Sequence, residues 1–152
     1  MKFEDRKDND NSAKEEKKDV FTDWFLQNLV GIINGSDAQL AITLNVGGIL
    51  ISGLLISGHK YFESFAEAFY SGVVDSDKLK NYFLSLGKVY TSEKEGITKP
   101  PVYIHLREAQ YYQPGSNHPL PSNEGILWRG KISSVDGFLL GKLSINQGQL
   151  RK

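Results

Sequence analysis

Hydrophobic and polar positions alternate most clearly between Leu40 and Ser57, LAITLNVGGILISGLLIS, where two apolar, β-branched runs flank Gly47-Gly48. A two-glycine loop between such runs predicts a tight hairpin, because glycine accepts the positive φ of a turn whose twist matches the strands. The implied register sets Val46 opposite Ile49, Leu44 opposite Ile51, Ile42 opposite Gly53 and Leu40 opposite Leu55. One face then carries apolar side chains throughout. On the other face Ala41, Thr43 and Asn45 predict a half-solvated first strand, whereas Leu50, Ser52, Leu54 and Ile56 predict a second strand covered on both sides and therefore central. Gly53 or Gly58 would let that strand bend sharply.

Upstream, DVFTDWFLQNLVGIING reads as a helix over residues 19–34, with Asp19 as N-cap and Gly35 ending it. Its apolar positions, Val20, Phe21, Trp24, Phe25, Leu26, Leu29, Val30, Ile32 and Ile33, cover more than the stripe one packed face needs. Such a helix is expected to be buried on two sides, against the sheet and against a further element or a second subunit, and an exposed remainder around Trp24 would mark an interface. After the hairpin, Phe62, Phe65, Ala66 and Phe69 predict a helix over residues 59–72. Leu79, Tyr82, Phe83, Leu86 and Tyr90 predict another after a cap at Asp75 or Ser76. Residues 92–101 form a polar loop, and Val102 to Tyr112 alternates as a half-exposed strand. A Pro- and Gly-rich loop, residues 113–125, leads to ILWRGKIS and FLLGKLSI, which read as a second hairpin closed by a turn at Asp136-Gly137 with positive φ at Gly137. The order of elements predicts an α+β fold. It is a small bent antiparallel sheet, or a partly closed barrel of Sm-like or SH3-like type, with an N-terminal helix and a two-helix insertion between strands two and three.

Composition sharpens this picture. Residues 1–18 mix acids and bases with almost no apolar side chain, so they are expected to be a disordered charged tail, followed by a single domain over 19–146 and a frayed end at 147–152. With 152 residues and no cysteine, the domain relies on its core rather than on disulfides, and a thiolate metal site is excluded. Lysine plus arginine equals aspartate plus glutamate at 18 each, so the chain lacks the field that binds nucleic acid non-specifically. No run is long and apolar enough for a membrane span, and a cytoplasmic location with no membrane partner is expected.

Chemistry is sparse. His59, His105 and His118 lie in separate segments without metal-binding spacing, no phosphate-binding loop or nucleophile elbow occurs, and neither catalytic residues, metal nor cofactor is expected. Trp128-Arg129-Gly130 sets a large aromatic and a planar cation on opposite faces of one strand, with Tyr103, Tyr111 and Tyr112 on its expected neighbour. Together with Trp24, these residues are the candidate protein-binding surface, since Trp, Tyr and Arg dominate interface hot spots. An Sm-like RNA-binding module, with the same tyrosines and arginine stacking on bases, is the alternative.

Three segments, residues 40–67, 103–115 and 121–144, resemble the gas vesicle accessory protein U family of bacteria. The most distinctive matches are Ile104-His105-Leu106, Trp128-Arg129-Gly130 and Val135-Asp136-Gly137-Phe138-Leu139-Leu140-Gly141. The resemblance implies a non-enzymatic cytoplasmic protein associated with gas vesicles, with shell protein and further copies of itself as partners, that influences vesicle assembly or clustering. The charged segment before Asp19 lies outside it. Exposed tail charges reach about 10 Å at 0.1 M salt and about 3 Å at 1 M. Deleting Met1 to Lys18 should therefore reduce the salt-sensitive part of vesicle clustering while leaving the fold intact. Light scattering across that salt range checks this, and identical clustering by the truncated chain would reduce the tail to a solubilising arm.

Overall fold

A computed structural model describes residues 21–70, 77–91 and 99–144. In chain order these form α1 (Trp24–Asn34), β1 (Leu40–Val46), β2 (Ile49–Ile56), α2 (Gly58–Tyr70), α3 (Asp77–Gly87), a 3-10 turn at Lys88–Tyr90, β3 (Tyr103–Tyr112), β4 (Ile126–Lys131), a second 3-10 turn at Ile132–Ser134 and β5 (Gly137–Leu140). The strands make one antiparallel sheet in the order β4-β3-β2-β1-β5. The fold is thus α+β with an open five-stranded sheet, and α2 and α3 are inserted between strands two and three as expected. The charged tail, the Asp75 or Ser76 cap and the C-terminal segment from residue 145 lie outside the described residues.

The β1–β2 hairpin has the register implied by its glycine pair, from Leu40 opposite Leu55 to Val46 opposite Ile49. Gly47 (φ 59°) and Gly48 (φ 86°) supply the positive backbone angles of the turn. Ile42, Leu44, Ile51 and Leu55 enter the core with Leu26, Val30 and Ile33 of α1 and with Ile104, Leu106, Ala109 and Ile132. Strand β2 is central, as its two apolar faces required. Strand β1 is covered more fully than expected. Residues 141–143 cross its outer face, where Thr43 Oγ1 donates to the Gly141 carbonyl (2.8 Å) and bonds Ser52 Oγ (3.0 Å), while Leu143 N–H donates to Ser52 Oγ (2.8 Å). Two buried hydroxyls are thereby satisfied.

Helix α1 begins later than its apolar run. Its N-cap is Asp23 rather than Asp19, with Oδ1 accepting from the backbone N–H groups of Phe25 (2.8 Å) and Leu26 (3.3 Å). Within the chain it is covered on one side only, so no further element among the described residues buries its second side. Helix α2 is capped by Ser57, whose Oγ accepts from Lys60 N–H (3.1 Å), and Asn34 Oδ1 accepts from Gly58 N–H (3.0 Å), joining the end of α1 to the start of α2.

The expected second hairpin does not form. Strand β4 pairs with β3 and β5 pairs with β1, so the two lie on opposite edges of the sheet. The 3-10 turn at Ile132–Ser134, anchored by buried Ile132, carries the chain between those edges. Asp136 closes no turn of its own. Its carboxylate accepts from Gly47 N–H (2.7 Å), and its N–H donates to the Asn45 carbonyl (2.8 Å), so it ties β5 to the tip of the first hairpin. Gly137 lies outside the positive-φ region for the same reason.

Strand β3 is half exposed, as expected, and also bent. Opposite Gly53 it carries an extra residue: Ser52 pairs with Gln110 and Leu54 with Arg107. A second irregularity against β4 falls at the same place, between Leu106 and Ala109. The extra residue, Glu108, takes φ 52°. A Cβ on Gly53 would lie 2.9 Å from the Arg107 carbonyl oxygen and 3.2 Å from Ala109 Cα, both of them backbone atoms. Gly53→Ala should therefore destabilise the domain by about 1–3 kcal/mol. Gly137→Ala, into open space, should change stability by less than about 0.5 kcal/mol. Urea unfolding of the two variants provides the comparison, and equal midpoints would show that the bulge tolerates a side chain.

Candidate functional site

The candidate residues do not form one continuous surface. Trp128 faces the apolar interior and packs half-buried against the core, its ring lying over Gly130, where a Cβ would clash with the indole. Tyr111 packs on the same core, and its backbone exchanges hydrogen bonds with Leu120 (2.7 and 2.9 Å). Gln110 Nε2 donates to the carbonyls of Pro121 and Asn123, so the loop after β3 is held in place at its far end. Tyr112 lies on the outer face and donates its hydroxyl to the Leu143 carbonyl (3.0 Å). These aromatics hold the fold together.

Tyr103 and Arg129 do meet. The guanidinium lies 3.6 Å from the centre of the Tyr103 ring, and Nε donates to Nε2 of His105 (3.2 Å). His105, expected on the exposed side of an alternating strand, is fully buried. Helix α2 and the turn after α3 account for this: Tyr61 lies 4.7 Å from the imidazole, and Tyr90 meets it edge-on at 5.4 Å. Phe62 stacks on Tyr90, and Gly58 leaves room for that ring, since any Cβ there would sit 2.5 Å from it. Period-two alternation could not announce His105, because what covers it comes from a helix pair whose docking a strand pattern does not encode.

The electrostatics follow from this packing. Burial, and then the neighbouring Arg129 charge, push the His105 pKa down from 6.5 to about 3. The ring is neutral. Because Nε2 accepts from Arg129, the proton sits on Nδ1, which is buried and without a partner among the described residues. Burial also raises the Tyr61 pKa, against an opposing effect of Arg129.

Trp24 belongs to a separate region. It lies 6.0 Å from Phe25, which in turn lies 5.7 Å from Phe138 of β5. Phe21 is 82% exposed, Trp24 70%, Phe25 55% and Ile32 66%, while Leu26, Val30 and Ile33 are buried. The inner side of α1 is thus core, and its outer side is an aromatic ridge. Between Trp24 and Asn34 the helix carries no charged side chain. Among the described residues, no group of three or more His, Cys, Asp or Glu side chains could hold a metal ion, and no helix is long and apolar enough to cross a membrane.

A bent antiparallel sheet with a helix on its inner face and a helix pair on its outer face defines a small α+β domain. The chain belongs to the gas vesicle protein GvpU-like family, whose model matches residues 23–143. This is not a known enzyme family. No curated protein and no solved structure matches the chain.

In the unfolded chain His105 takes up a proton below its ordinary pKa of 6.5, but in the folded domain only near 3. Unfolding therefore binds a proton between those values, and stability falls as pH is lowered through them. His105→Gln keeps an acceptor for Arg129 and cannot titrate. Its urea midpoint should fall less than that of the wild type between about pH 7 and pH 4, and parallel profiles would mean that His105 does not govern the acid response.

Proposed function

We propose that this chain is a non-enzymatic gas vesicle accessory protein that docks on vesicle shell protein and on further copies of itself, and so influences vesicle assembly or clustering. The observation that carries this reading is the outer side of α1. Trp24, Phe25 and Ile32 are exposed apolar side chains on a helix without charge, Phe21 stands exposed just before it, and Phe25 meets Phe138 of β5. Large aromatic side chains left in water are characteristic of the centre of a protein interface, and the area they remove from water on docking drives association without any charge pairing. Family membership supplies the setting.

Because Trp24 and Ile32 are exposed, replacing them should leave the fold within about 0.5 kcal/mol of the wild type. Trp24→Asp combined with Ile32→Asp would place two charges in the ridge. The double variant should no longer co-float with isolated gas vesicles, and any oligomer of the wild type should dissociate in sedimentation velocity. Undiminished co-flotation together with an unchanged mass would remove α1 as the docking element.

A further inference from the structure

Arg129 is held more firmly than an exposed side chain usually is. On the outer face of the β3–β4 pair, His105 stands opposite Arg129 and Tyr103 opposite Lys131. The Tyr103 ring sets the plane of the guanidinium, at 3.6 Å, and the 3.2 Å bond to His105 fixes its rotation. The acceptor cannot shift, because it is fully buried beneath Tyr61 and Tyr90. One N–H of the guanidinium is used inward. The terminal amino groups, four further donors in a planar fork, have no hydrogen-bond partner among the described residues. Neither Arg129 nor Lys131 joins an ion pair there, while the nearby Glu108 carboxylate is engaged by Lys142 and Arg107. Strand β4 is an edge of the sheet, so the fork is open to approach.

A planar fork with its orientation set in advance fits the two oxygens of an anion such as carboxylate or phosphate, and holding the side chain beforehand reduces the entropy lost on binding. Two features favour carboxylate on a protein over the phosphates of a nucleic acid. The chain has no net charge to concentrate a polyanion. The ring face of Tyr103 that a base would stack on is occupied by Arg129 itself. We propose that Arg129, with Lys131 beside it, is a receptor for a side-chain carboxylate of a partner protein, presented by an acidic segment lying along the β4 edge. This rests on the reading that the chain acts by protein docking, and it names the chemistry of a second contact, separate from the apolar ridge of α1.

The full chain can be titrated into a short fluorescein-labelled oligoglutamate peptide and followed by fluorescence anisotropy. Arg129→Gln should weaken binding about tenfold or more. Arg129→Lys should recover little of it, because an ammonium keeps the charge and loses the fork. In the unmodified chain the Nε–H resonance of Arg129 should move during the titration, which tests the receptor even if an Arg129 variant fails to fold. Equal binding by Arg129→Gln, wild-type affinity in Arg129→Lys, equal binding of oligoglutamine, or an unmoved resonance would each overturn the proposal. Tighter binding of inorganic phosphate or of a single-stranded RNA would also overturn it, in favour of a phosphate site. No vesicle is present in this assay, so its failure removes the Arg129 receptor alone, whereas failure of the wild-type chain to co-float with vesicles removes the docking reading.

Discussion

The structure depends on one place where three strands approach too closely for side chains. Gly53 of β2 sits against the Arg107 carbonyl and Ala109 of β3, and Gly125, just before β4, sits against the backbone of Glu108. Glu108 takes the left-handed backbone conformation as the extra residue of β3, and Gly125 takes φ 84° beside it. A bulge increases twist and turns the strand, so the sheet curls here. The curl gives the inner face room for α1 and the apolar core, and it turns the outer face of β3 and β4 toward the helix pair.

Burial of His105 is a consequence of that arrangement. Tyr61, Phe62 and Tyr90 close over the imidazole, and desolvation keeps it neutral. A neutral ring offers one lone pair, and Arg129 takes it. The interior side of the pair is therefore without charge, while the guanidinium remains in water with most of its donors directed outward. A buried cation at position 105 would repel Arg129 and carry its own desolvation penalty, so the same packing that orients the arginine also opposes protonation of its support.

The two surfaces left over differ in kind. The α1 ridge is broad, aromatic and uncharged, suited to association driven by loss of apolar area, which is insensitive to salt or strengthened by it. The Arg129 fork is small, directional and charged, suited to selecting what binds rather than to supplying most of the affinity. They sit on different faces of the sheet, one with the core helix and one with the helix pair.

Much of this fold was legible in the chain. The Gly47-Gly48 hairpin, its register, the central place of β2, the inserted helices and the helix before the sheet all rest on local pattern, because turn geometry and period-two alternation depend on neighbouring residues alone. So did the aromatic and cationic character of Trp24, Tyr103 and Arg129. Pattern also misled where a distant segment decided the outcome. Asp136-Gly137 has the residues of a tight turn, yet its carboxylate is bound by Gly47 and its strand pairs with β1, a partner remote in sequence. The apolar run put the helix cap at Asp19, and the position of Leu26, Val30 and Ile33 against the sheet sets it at Asp23 instead. Alternation put His105 on a solvated face, and helix docking covered it. The sequence by itself determined which segments are strands and helices and which side chains could form an interface. The tertiary structure decided which of those aromatics are core, which stay in water, and that Arg129 is held ready, because burial and orientation arise from contacts between segments that no local period records.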